Sequence, residues 1–183
     1  MAEPTPAHTT DPARERVIMF LAFLTSDACL RACHQFLAPE RLAFDLCNLW
    51  FDEIYIPSAR YLDGLKGDFS EEAARTFRAS FSDDECALLE RFHHFFGLRM
   101  DMLPSSPAQR ALFPRSDAWN NIRKDAAHLL DELVDDPEAI RTRLVHSIQI
   151  QLGETGKRNG FTMPLWLERH TRRGGPRNPA SPE

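Results

Sequence analysis

Glycine is scarce through most of this chain. Only three of the eight glycines precede Gly153, while Gly153, Gly156, Gly160, Gly174 and Gly175 fall within the last 31 residues. Few open turns therefore interrupt the first five-sixths, and a change of character is marked near Gly153. Long apolar runs are missing as well. The longest, Val17 to Leu24, has eight residues, far short of the roughly 20 needed to span a bilayer. No small-residue cleavage site follows it before Asp27 and Arg31, so it does not read as a secretory signal. Period-two alternation is absent before Gly153, which leaves no candidate strand. The four cysteines (Cys29, Cys33, Cys47, Cys86) lack the tight C-x-x-C spacing of zinc knuckles. Reduced thiols in the core of a cytoplasmic protein are the expectation. A net charge of −5 gives no general attraction to nucleic acid or an anionic membrane.

What is present is helical signalling. Polar residues 1–10, with Pro4 and Pro6, are expected to be a disordered N-terminus. Asp11-Pro12 is an N-cap followed by proline at the first helical position, and Asp136-Pro137 repeats it. Helices are predicted from Pro12 to about Leu24, then either a second one capped by Thr25-Ser26-Asp27 or a continuation of the first to about Leu37, and from Pro39 to about Ile56, where Pro57 stops that helix. Ser70 caps a short helix. Ser82 and Glu85 form a capping box ahead of Leu88, Leu89, Phe92, Phe95, Phe96 and Met100, which recur at three- and four-residue steps like a core-facing stripe. Pro104, Pro107 and Pro114 punctuate a connection of about a dozen residues. Ser116 caps a helix to Val134, with Trp119, Ile122, Ala126, Leu130 and Leu133 on its core face, and a last helix runs from Pro137 to about Leu152. The fold class is all-α: a compact bundle of about six helices over residues 11–153, followed by a disordered basic tail over 154–183.

That tail carries Lys157, Arg158, Arg169, Arg172, Arg173 and Arg177, leaving the preceding body with 16 basic and 24 acidic residues. Arg172-Arg173-Gly174-Gly175 resembles an arginine–glycine RNA-binding element in composition, but a single copy is weak and the acidic body argues against nucleic acid. Within the tail, Phe161, Met163, Pro164, Leu165 and Trp166 form an apolar anchor. Phe161, Leu165 and Trp166 are expected to dock on the body or on a partner.

Two pairs invite a metal. Glu90-x-x-His93 and Asp125-x-x-His128 have the carboxylate–imidazole spacing of di-metal helical bundles, which requires every ligand to project inward. At about 100° per residue, Glu90 falls on the far side from Phe92, His93 at the margin, and His128 opposite Trp119 and Ile122. Both pairs are expected to face outward, and no cofactor is implied. The same angular reading puts Arg99 within the aromatic face and Glu53 among Leu42, Leu46, Leu49 and Ile56, whose helix keeps only Asp45, Asn48 and Asp52 as a polar stripe. A buried unpaired charge costs several kcal/mol, so Glu53 and Arg99 are expected to partner each other. The pair would fix helix register or floor a ligand pocket with Trp50, Tyr55 or Tyr61. Gly64-Leu65-Lys66-Gly67-Asp68 lacks the spacing and preceding strand of a phosphate loop. Ser147 beside His146 has no geometry for nucleophilic catalysis.

No nucleophile, metal set or phosphate cradle emerges. The expected function is that of a non-catalytic cytoplasmic protein working through protein–protein contact, with a protein partner or as a homodimer. The alternatives are a small-molecule or metal-dependent helical enzyme using Glu53 and Arg99, and a nucleic-acid binder using the tail.

Overall fold

In the computed structural model, residues 11–33, 39–56 and 71–155 are described. The expected N-terminal disorder, the Gly64–Asp68 loop, Tyr61, and the tail with Phe161, Leu165 and Trp166 lie outside them. The described residues are all helix and connection, without a strand. Among the described residues there are eight α-helices, seven where the sequence places helices and one more: α1 Pro12–Thr25, α2 Asp27–Cys33, α3 Pro39–Leu49, α4 Glu71–Ala79, α5 Asp83–Met100, α6 Pro107–Arg110, α7 Asp117–Leu133 and α8 Pro137–Thr155. The additional turns lie in the proline-rich connection, where Pro107 starts α6 and a 3₁₀ turn follows at Phe113–Arg115. The last helix continues through Gly153 to Thr155.

The starts are chemical. Asp11 accepts from the Ala13 amide at 2.8 Å, and Asp136 accepts from the Ala139 amide at 2.9 Å. At α5 the Ser82 hydroxyl accepts from the Glu85 amide at 3.2 Å, while the Glu85 carboxylate accepts from the Ser82 amide at 2.8 Å. Each such cap satisfies amides that the first helical turn leaves without partners.

The centre of the molecule is α1, whose run from Phe20 to Leu24 is fully buried. It packs against α7 and α8, and α7 packs in turn against α5. All five residues expected on the core face of α7 are buried. One arginine ties three helix ends together. Arg14 at the start of α1 grips Glu85 with both terminal nitrogens, at 2.7 and 2.9 Å, and donates to the Leu133 carbonyl at the end of α7 at 2.9 Å. At the opposite end Arg123 of α7 donates to the carbonyls of Leu24 and Thr25, 3.1 Å each, and to Asp27 at 2.6 Å. The two clamps fix α7 antiparallel to α1, while Glu85 beside Leu133 and Arg99 beside Asp125 set α5 antiparallel to α7.

The third helix departs from its expected straight course. It ends at Leu49 and gives way to a π-helical turn, Trp50–Ile54, closed by the Tyr55 amide donating to the Trp50 carbonyl at 3.0 Å. An i→i+5 turn adds a residue to the helical repeat. The apolar face therefore steps from Leu49 to Ile54, five residues on, instead of to position 53. Ile54 is buried, and Glu53, expected at the face's centre, is half-buried. Asp45, expected on the polar stripe, is itself buried, with Arg41 at 3.5 Å.

Candidate functional site

The π turn builds an aromatic cluster against α5. The Trp50 ring stacks on Tyr55 (centroids 5.5 Å apart, planes 11°) and meets Phe92 edge-on at 5.0 Å. Tyr55 in turn stacks on His93 at 4.5 Å, and Phe51 lies 4.8 Å from the same imidazole. Two residues expected to line a ligand pocket, Trp50 and Tyr55, thus spend their ring faces on one another and on His93. Trp50 Nε1 is buried and makes no hydrogen bond to the described residues.

His93, expected at the outward margin of α5, is 5% exposed. The reason is the choice of reference. The buried residues of α5 are Cys86, Leu89, Phe92, His93, Phe96 and Met100, whose centre lies about 60° round the helix from Phe92. That rotation carries His93 into the core and carries Arg99 out of it. Burial, with a smaller contribution from neighbouring His94, lowers the His93 pKa to about 4, so the ring is neutral at physiological pH. A neutral imidazole packed between aromatic rings is a core residue here.

Arg99 and Glu53 do not form the expected central pair. The Arg99 guanidinium donates to Asp125 of α7 at 2.6 Å, with the side chains 22% and 39% exposed, and lies over the Phe95 ring at 5.3 Å. This is a boundary ion pair between α5 and α7. The proposed metal ligands are likewise spread out. Glu90 is exposed, His93 is buried, Asp125 is engaged by Arg99, and His128 lies 4.0 Å from Glu132. Among the described residues, no three His, Cys, Asp or Glu side chains are grouped to hold a metal ion.

Two surface features remain. A cleft of about 500 Å³ runs between the α1–α2 junction and α8, lined by Thr25, Asp27, Glu138, Arg141, Thr142 and His146 among others. Its cationic wall is already engaged. Arg141 donates to Thr25 Oγ1 at 3.1 Å and to Glu138 at 3.2 Å, while Arg123 caps the end of α1. These bonds join helices and leave little for a ligand.

The second feature lies on α5. Phe95 is 40% exposed, Leu98 64% and Met102, just past the helix end, 69%. With half-buried Leu88 and exposed Arg91 they fall at steps of three, four, three and four residues, the a/d spacing of a coiled-coil seam. This seam lies roughly 140° from the buried face of α5. Leu88 and Phe95, both expected in the core, therefore belong to a second face. Arg91 lies over the Phe95 ring at 5.7 Å, with Arg99 on the same ring. Beside them, Leu88, Phe92, Phe95 and Leu129 line a shallow notch of about 30 Å³ rimmed by Arg91 and His128.

The signal of this seam is present in the sequence as an excess. The helix carries more large apolar residues than one face can bury, and the excess is itself periodic. Among the described residues no helix is long and apolar enough to cross a membrane. Comparison with family models, with curated proteins and with solved structures returned no match.

Proposed function

We propose that the protein acts without catalysis, by binding another protein through the exposed seam of α5. One observation carries the reading: Phe95 and Leu98 on α5, and Met102 just past its end, stand exposed at a/d spacing, and the opposite face of the helix is already buried. A regularly spaced apolar stripe on a rigid helix is the surface that a partner helix covers. Leaving it in water forfeits burial worth roughly 25 cal/mol per Å². The α5 scaffold is suited to the task, since its first turn is held by the Arg14–Glu85 clamp and its last by Arg99–Asp125. Free cysteines at Cys29, Cys47 and Cys86 support a reducing compartment, and we place the protein in the cytoplasm.

The test is chemical cross-linking of the full-length chain in its native cells, comparing wild type with the Leu98→Asp/Met102→Asp double variant. The proposal expects cross-linked species that the double variant loses and that Glu90→Lys, on the far side of the helix from the seam, retains. Cross-linking that survives the double variant unchanged would overturn it.

A further inference from the structure

The seam has a sequence order that suits one occupant in particular. Resting on the reading that the α5 face binds protein, we infer that its partner is a second copy of this chain, with the two α5 helices antiparallel about a two-fold axis between Phe95 and Leu98. In an antiparallel pair the a and d positions alternate across the contact and flanking residues of the same side face each other. An axis midway between Phe95 and Leu98 sets Phe95 of each copy against Leu98 of the other. It also sets Arg91 of each copy against Met102 of the other, one residue from the other's Asp101.

The charges then agree with the apolar register. Arg91 and His94 lie on the side of the seam that carries Asp101, and all three are exposed. Under the two-fold, Arg91 and His94 of one copy approach Asp101 of the other, and the contact occurs twice. The competing positive charge, Arg99, is already neutralised by Asp125 in its own chain. A parallel pairing brings Arg91 against Arg91 at the same level, a like-charge contact at a core position. The antiparallel arrangement removes that repulsion and buries the Phe95, Leu98 and Met102 side chains against one another. Self-complementarity of one patch is also what a two-fold interface requires.

Sedimentation equilibrium of the full-length chain, from micromolar to near-millimolar concentration, tests the inference together with two charge reversals. Wild type is expected to dimerise reversibly. Arg91→Asp alone and Asp101→Arg alone are each expected to weaken the dimer roughly tenfold, because each exposed contact is weak by itself and occurs twice. The double variant Arg91→Asp/Asp101→Arg restores the pairing and the affinity. Leu98→Asp abolishes the dimer, and circular dichroism verifies that every variant keeps its helix content. A dimer indifferent to these substitutions forms elsewhere and overturns the inference. A chain that stays monomeric while its cellular cross-links still depend on Leu98 and Met102 also overturns it, leaving partner binding through the seam intact. A monomer whose cross-links ignore those residues defeats both.

Discussion

Replacing Arg14 with methionine removes the side-chain hydrogen bonds that join the start of α1 to α5 and to the end of α7. The geometry sets the size of the effect. Two guanidinium–carboxylate bonds of 2.7 and 2.9 Å and one to the Leu133 carbonyl of 2.9 Å are lost together. Charge-assisted bonds contribute about 1.5–3 kcal/mol each where solvent is excluded. Here the Arg14 and Glu85 side chains keep 27% and 20% of their surface in water, which trims the pair toward about 1–2 kcal/mol. Adding the uncapped end of α7, Arg14→Met is expected to cost about 2–3 kcal/mol. Glu85→Gln keeps an oxygen for the Ser82 amide and costs less, about 1–2 kcal/mol. Urea unfolding of wild type, both single variants and the double variant closes a cycle, with a coupling energy near 1–2 kcal/mol.

The pH dependence gives an independent check. The bonds from Arg14, followed by those from the Ser82 amide, hold the Glu85 pKa below its ordinary value. The folded state therefore releases that proton more readily than the unfolded chain. Its stabilising contribution is full above about pH 4.3, the ordinary glutamate value, and is lost as pH falls through the lower folded pKa. Additive single variants, or a wild-type advantage over Glu85→Gln that persists unchanged at pH 2, would refute the reasoning.

Further expectations concern the core and the seam. His93, with its pKa lowered from 6.5 to about 4, binds a proton in the unfolded chain at pH values where the folded chain does not. Stability should then fall by about 3 kcal/mol between pH 7 and pH 4, and His93→Phe should flatten that slope in denaturant titrations. Burial, aided by Asp52 and Asp101, pushes the Cys47 thiol up to about 12. Iodoacetamide at pH 8 should leave it unlabelled in the native protein and label it in urea, as read by peptide mass spectrometry. Leu98→Asp, at a position 64% exposed, should change the unfolding free energy of the monomer by less than about 0.5 kcal/mol.

Much of the scaffold was legible because it is written locally. Asp11-Pro12, the Ser82–Glu85 box, Ser116 and Asp136-Pro137 each place a helix start through contacts within three residues, and the core face of α7 follows from period alone. The π turn was not legible. Nothing in Trp50-Phe51-Asp52-Glu53-Ile54 departs from helical composition, and the wider turn is registered in packing around the Trp50 ring. Once it enters, every angle counted past Leu49 is displaced, which is why Glu53 was assigned to the centre of the face. Arg99 and His93 were exchanged for a related reason, since the aromatic stripe of α5 is broader than one face and Phe92 lies at the edge of the buried part. The Arg14 clamp joins residues 71 and 119 positions apart, a separation that no periodicity reports. For the candidate site the signal existed as an excess: α5 repeats its apolar residues on two faces, and reading them as one concealed the seam.

A photo-reactive phenylalanine analogue placed at successive positions of α5 in the full-length chain, in its native cells, reports which face of the helix meets protein. The yield of protein adducts is expected to be periodic, high from positions 95, 98 and 102 and low from Glu90 and Gly97. A flat yield along the helix, or a maximum away from Leu98, would contradict the assignment of this face as the working surface.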